Sequence, residues 1–150
     1  MRSWTSRSEV ETERLGEELG RELQPDGVLL LYGDLGAGKT VLVRGVARAL
    51  GVEPREVQSP TYALIHEYAG RLGRLVHVDL YRLEPEELEA LGLWELLAGH
   101  GVKVVEWAER LTGDVPGALQ LEIRPAADGS RVLRQMSSST RPNQDTTLRR

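Results

Sequence analysis

Residues 33–40 read GDLGAGKT, and Gly33, Gly38, Lys39 and Thr40 fit the spacing G-x-x-x-x-G-K-[ST]. The chemistry of that spacing is phosphate binding. Glycines let the backbone wrap closely round an anion, while successive N–H groups and a helix N-terminus point at it. Lys39 would neutralise β- and γ-oxygens, and the Thr40 hydroxyl would ligate Mg²⁺. Two acids belong to the same question. Asp79 ends the apolar run of LVHVDLYRL (75–83), and Glu106 ends that of VKVVEWAER (102–110). Mg²⁺ prefers oxygen ligands, with a carboxylate usually supplied from a strand end. Either acid would hold the metal, directly or through water, while the other orients the attacking water; their order along the chain leaves both assignments open. His77 reads as a half-buried, hydrogen-bonded strand histidine rather than a ligand or base, since nothing else in its run resembles a histidine metal site. Thr61, preceded by Ser59 and Pro60, sits where a loop would reach a γ-phosphate as a switch element, although Ser-Pro-Thr by spacing alone is an ordinary turn.

These residues need a scaffold, and the surrounding pattern supplies one. VLLLY (28–32) is a continuous apolar run, as expected for a strand covered on both sheet faces. It leads into the glycine loop and then VLVRGVARALG, with Val43, Val46, Ala47 and Leu50 on one helical face and Gly51 placed to end the helix. Upstream, Ser8 and Glu11 fit a capping box and Leu15, Leu19 and Leu23 recur every four residues, which predicts an amphipathic helix over 8–23. Downstream, YALIHEY (62–68) and LVHVDLY (75–81) flank a glycine-bearing connector suited to a hairpin. Residues 84–99 predict one helix in which Leu88, Leu91 and Trp94 pack. VKVVEW (102–107) is a further strand, and 118–125 with 131–136 form a final hairpin. The expected fold class is α/β: a P-loop NTPase-like three-layer fold with a mixed, mostly parallel central sheet and helices on both faces.

Composition narrows the functional classes. At 150 residues, 40% hydrophobic and 28% charged, the chain fits one soluble domain, expected over 1–136. No apolar run approaches the ~20 residues of a membrane span. MRSWTSRSEVETE lacks the apolar core of a secretory signal, and the absence of cysteine excludes disulfides and thiolate metal sites. A cytoplasmic address is the expectation. Residues 137–150 carry three arginines against one aspartate, so the net charge of −4 leaves −6 on the first 136 residues. Such an acidic body is a poor match for nucleic-acid phosphate, and independent nucleic-acid binding is discounted. The tail, with one leucine and no aromatic residue, predicts disorder.

Taken together and in order, GDLGAGKT, SPTYALIHEY, HVDLYRL, EELEALGL and VEWAERL resemble the TsaE family of small bacterial P-loop ATPases required for threonylcarbamoyladenosine modification of tRNA. The resemblance covers about residues 8–123. It implies an ATPase that works with the transferase TsaD and its paralogue TsaB, with ATP and Mg²⁺ as cofactors. It implies phosphate contacts along Gly33, Asp34, Leu35, Gly36, Ala37, Gly38, Lys39 and Thr40 and on to Val41, and Mg²⁺ on Thr40 and Glu106. Asp79 matches the Walker B-like aspartate, Thr61 the switch threonine, Trp107 the tryptophan beside the acid, and Thr12 a threonine near the adenine. The arginine-bearing tail maps to nothing in the family. Rival classes are a GTPase, which would need the absent N-K-x-D, a P-loop small-molecule kinase with an arginine-lined acceptor site, and a nucleotide-dependent binding module.

Overall fold

The computed structural model describes residues 1–33, 38–57, 65–81 and 83–137. Of the sequence-based expectations, Asp34, Leu35, Gly36, Ala37, Thr61 with its Ser-Pro-Thr segment and the tail beyond Ser137 lie outside the described residues. The elements run β1 (Ser3–Ser6), α1 (Glu9–Leu23), β2 (Val28–Tyr32), α2 (Lys39–Ala49), β3 (Ile65–Ala69), β4 (Arg74–Asp79), α3 (Pro85–Ala90), α4 (Leu93–Leu97), β5 (Val102–Glu106), β6 (Leu119–Pro125) and β7 (Arg131–Met136).

Among the described residues the strands form one seven-stranded sheet in the order β1-β7-β6-β2-β5-β4-β3. Its centre, β6-β2-β5-β4, is parallel; the outer pairs β3–β4, β6–β7 and β1–β7 are antiparallel. The mixed α/β architecture expected from the sequence is therefore present. All five residues of β2 are buried, as a strand between two covered faces requires. On one face Leu29 and Leu31 pack with Leu15, Leu19 and Leu23 of α1 and Leu42, Val43 and Val46 of α2. On the other, Leu30 and Tyr32 pack with Val76 and Val78 of β4 and Leu93 and Leu97 of α4.

Three local results differ from the expectations. Residues 84–99 form two short helices, because Gly92 adopts a left-handed conformation (φ 67°) and caps α4; Leu91 beside it is 38% exposed rather than packed. Residues 3–6 form a strand, β1, on the edge of β7. His77 is fully buried rather than half-buried. Half of the capping box expected at α1 holds: Ser8 Oγ accepts from Glu11 N at 3.1 Å, while Glu11 Oε1 reaches past the cap to accept from Arg7 N at 2.6 Å.

Two glycines set how α2 lies against α1. Gly16 and Gly45 meet backbone to backbone: a Cβ on Gly45 would stand 2.0 Å from Glu13 O and 2.8 Å from Gly16 Cα. Arg48 ties the same pair of helices at the surface through Glu13, at 2.6 and 3.1 Å. Far from the glycine loop, Lys103 is buried in β5 and its ammonium donates to the carbonyls of Asp26 (2.9 Å) and Gly99. Burial lowers its pKa from the ordinary lysine value.

Gly45→Ala separates the two opposing effects at this crossing. Replacing a helical glycine by alanine gains about 1 kcal/mol of helix propensity, whereas forcing a methyl group against a backbone carbonyl costs about 1–3 kcal/mol and sometimes more. The steric term wins here because its contacts are rigid backbone, so urea denaturation is expected to show net destabilisation. An unchanged or higher urea midpoint would show that the helices separate without loss.

Candidate functional site

Lys39 opens α2 and is only 4% exposed, although its side chain ends in a charge. Two contacts account for that burial. Nζ donates to Gly33 O at 2.6 Å and lies 4.4 Å from the centre of the Trp107 ring, a cation–π contact. Trp107 reaches that position because its backbone turns left-handed (φ 58°) directly after β5, and its ring stacks on Tyr81 with centroids 4.7 Å apart. Glu109, in the turn that follows, accepts from Gly33 N at 3.2 Å. Gly33 has φ 144°, and a Cβ there would lie 2.4 Å from Ile123 O, so a glycine is required where β2 passes β6. The N-cap of α2 is Gly38 (φ 96°), which offers no side-chain hydrogen bond to the first turn. That leaves the positive end of the helix to whatever anion the loop receives.

The acids follow from sheet register. In the parallel β4–β5 pair Asp79 stands opposite Glu106, and Glu106 in turn stands opposite Leu31 of β2. Both acids are buried, at 9% and 4% exposure. Asp79 Oδ1 accepts from Tyr81 N at 2.9 Å, a turn closed by the residue's own strand end. Burial pushes the Asp79 carboxyl above its ordinary value; Glu106 adds to the rise, and the Tyr81 hydrogen bond, His77 and Lys39 oppose it. Glu106 bonds through Oε2 to Nε2 of His77, which lies two residues back from Asp79 along β4 and on the same sheet face.

The structure thus gathers Gly33, Lys39, Trp107, Asp79 and Glu106 at the C-terminal ends of parallel strands, the usual place for a ligand in an open α/β sheet. Thr40 and Val41 lie half-buried in the first turn of α2. Thr12 is buried in the first turns of α1. Its Oγ1 lies 2.6 Å from Ser6 Oγ and 3.2 Å from Ser8 O, so its hydroxyl ties β1 to the helix cap. Sequence reasoning missed Glu109, although it lies in the quoted VEWAER, and Arg131, whose Nε would stand 3.8 Å from a Cβ on Gly38. It discounted His77. The one available signal for His77 and Glu106 was shared alternation: both sit on the sheet face that Asp79 occupies.

Comparison with known proteins identifies the family. A family model, "Threonylcarbamoyl adenosine biosynthesis protein TsaE", matches residues 6–135. The chain belongs to the TsaE family. Among its relatives in that family, the tRNA threonylcarbamoyladenosine biosynthesis protein TsaE of Treponema pallidum is 42% identical over 130 residues, covering 85% of this chain and 95% of that protein. The Bacillus subtilis TsaE is 41% identical over 131 residues, covering 87% and 82%. The crystal structure of Bacillus subtilis YdiB superposes with a TM-score of 0.70 at 33% identity, over 88% of this chain and 82% of that one. TsaE membership places the chain in tRNA threonylcarbamoyladenosine biosynthesis. No helix among the described residues is long and apolar enough to cross a membrane.

The raised Asp79 pKa gives this site a pH signature. A carboxyl that holds its proton more tightly when folded contributes stability that is complete below its unfolded pKa, about 3.9. That contribution is lost as pH rises through the folded value. Asp79→Asn keeps the acceptor for Tyr81 N and removes the charge. Its melting temperature relative to the unaltered protein should therefore rise between about pH 4 and pH 7. Thermal melts across that range check it, and a pH-independent difference would contradict it.

Proposed function

We propose that this chain binds and slowly hydrolyses Mg²⁺-ATP, and that it serves tRNA threonylcarbamoyladenosine modification by acting on the TsaD–TsaB transferase pair from a cytoplasmic location. One observation carries the reading: a buried lysine at a helix N-terminus without a side-chain cap acts electrostatically on buried Asp79, which stands in register beside buried Glu106 at the ends of adjacent parallel strands. The residues present fit the implied groups. Thr40, Asp79 and Glu106 offer hard oxygen donors, as Mg²⁺ requires. Asp79 and Glu106, paired in register with desolvation raising Asp79, form an acidic pair that a divalent cation would neutralise.

In this reading the loop from Gly33 to Val41 wraps the phosphates, and Lys39 exchanges its carbonyl contact for phosphate oxygens. A bond from the ammonium to a phosphate oxygen pairs two opposite charges, whereas the carbonyl contact given up carries charge on the donor alone. A bound Mg²⁺ would supply positive charge to offset that of the phosphate oxygens. Thr40 and Glu106 would hold the ion, and Asp79 would orient the attacking water and take its proton. Its raised pKa suits a proton acceptor working nearer neutrality than an ordinary aspartate. Trp107 shields the amine of Lys39 from water. Thr61 keeps the γ-phosphate switch role, and Thr12 the place near the adenine, that the family resemblance implies. An acidic body argues that the protein meets the modification machinery through protein partners rather than tRNA itself.

ATPase assays with and without TsaD and TsaB test the proposal. Stimulation by the pair is expected; transfer of the γ-phosphate to a small acceptor would establish a kinase instead. Lys39→Ala should abolish nucleotide binding. Glu106→Ala should spare ATP binding and stop turnover, and wild-type hydrolysis by that variant in the reconstituted complex would remove Glu106 from the site. Asp79→Asn should lower the turnover rate by about 10²–10⁴-fold with a smaller change in Mg²⁺-ATP affinity.

A further inference from the structure

The two strand-end acids are held by different means. Asp79 is fixed by the backbone two residues ahead of it, through Tyr81 N. Glu106 has a longer side chain with more torsional freedom to lose, and its hydrogen bond comes from across the sheet. His77 lies two residues behind Asp79 on β4, beside Val104 of β5, so the His77–Glu106 contact is the diagonal of a parallel strand pair. A carboxylate only accepts hydrogen bonds, so the imidazole supplies the proton from Nε2. The other ring nitrogen, Nδ1, is buried and has no hydrogen-bond partner among the described residues.

That orphaned nitrogen bears on why an imidazole stands here. His77 is fully buried, with Leu75 of the same strand and Val104 of the neighbouring one in the core on its face of the sheet. For packing alone a leucine would serve without burying an unsatisfied acceptor, which is costly. The polar contact that repays the imidazole is the one to Glu106. With Oε2 held from behind, the carboxylate plane of Glu106 is set before any ligand arrives.

We infer that His77 is a positioning residue: its Nε2–H fixes the Glu106 carboxylate in the orientation that receives the divalent cation. The inference rests on the reading of Glu106 as a metal ligand and adds to it the side chain that orients the ligand. Hydrogen-bonded supports of this type typically change metal affinity by about 10–100-fold when removed. Nucleotide binding through the glycine loop and Lys39 does not depend on the contact.

Mg²⁺ titrations followed by the fluorescence of a ribose-labelled ATP analogue test it with His77→Leu and His77→Gln. His77→Leu should raise the Mg²⁺ concentration needed for half-maximal response by about tenfold or more, with affinity for the analogue in EDTA unchanged. His77→Gln, whose amide nitrogen can take the place of Nε2, should recover most of the loss, an effect that packing alone would not produce. Imidazole ¹⁵N spectra of the metal-free protein should show His77 protonated at Nε2, with the Nε2 proton shift moving in Glu106→Gln. A wild-type Mg²⁺ requirement in His77→Leu, equal impairment of both His77 variants, or a ring without a proton on Nε2 would overturn the inference. Should His77→Leu fail to fold, the His77→Gln titration and the spectra decide. An unchanged Mg²⁺ requirement in Glu106→Gln would instead overturn the metal assignment, and the spectra would still report whether the ring holds Glu106.

Discussion

Two carboxylates stand side by side at the ends of β4 and β5, and the rest of the site is arranged around that fact. Parallel pairing leaves no choice in the matter: once Val105 sits beside Val78, the next pair is Asp79 beside Glu106. Neighbouring buried acids disfavour each other's ionisation, which is part of why the Asp79 carboxyl is raised. The arrangement is tolerable because the strands are fixed by core on both faces and because a cation, Lys39, is brought close. A sheet that could slip by one residue would relieve the repulsion; this one cannot without turning Val105 and Val78 out of the core.

Bringing Lys39 close is the work of a contact far from any charge. The amine belongs to the first residue of α2, so its place depends on where the whole helix lies. Gly16 and Gly45 let α2 rest backbone to backbone on α1, while Leu42, Val43 and Val46 press the helix onto β2. Any side chain at the crossing would lift α2 from the sheet and carry Lys39 with it.

What the sequence disclosed and what it withheld divide along the range of the interactions involved. The strand and the helix of residues 28–50 were legible because each signal is local: an apolar run and a 3.6-residue period. The hairpins were legible for the same reason. Residues 3–6 were not, because SWTS carries no strand pattern of its own and becomes β1 only by pairing with residues 131–134, which lie more than a hundred positions away. The split of 84–99 turned on Gly92, since a continuous apolar periodicity hides one left-handed residue. At the site, alternation put His77 and Asp79 on one face, but the partnership of His77 with Glu106 depends on which strand lies beside which. Glu109 and Arg131 reach the glycine loop only through the fold.

Trp107 links the acid side of the site to the basic side. It is the non-glycine residue with positive φ among those described, a conformation that costs about 1–2 kcal/mol for an ordinary side chain. Such strain persists where the surroundings over-determine it, and here three contacts do so. The residue before it, Glu106, is anchored in β5 and gripped by His77. Its own ring is clamped between Tyr81 and the ammonium of Lys39, and Glu109 after it holds Gly33 N at 3.2 Å. A relaxed backbone at 107 would swing the ring off Lys39 and carry Glu109 away from the glycine loop. The position of the lysine and the position of the strand-end acid are therefore two consequences of one left-handed turn, and a change felt at one is transmitted to the other through a backbone that has little freedom to absorb it.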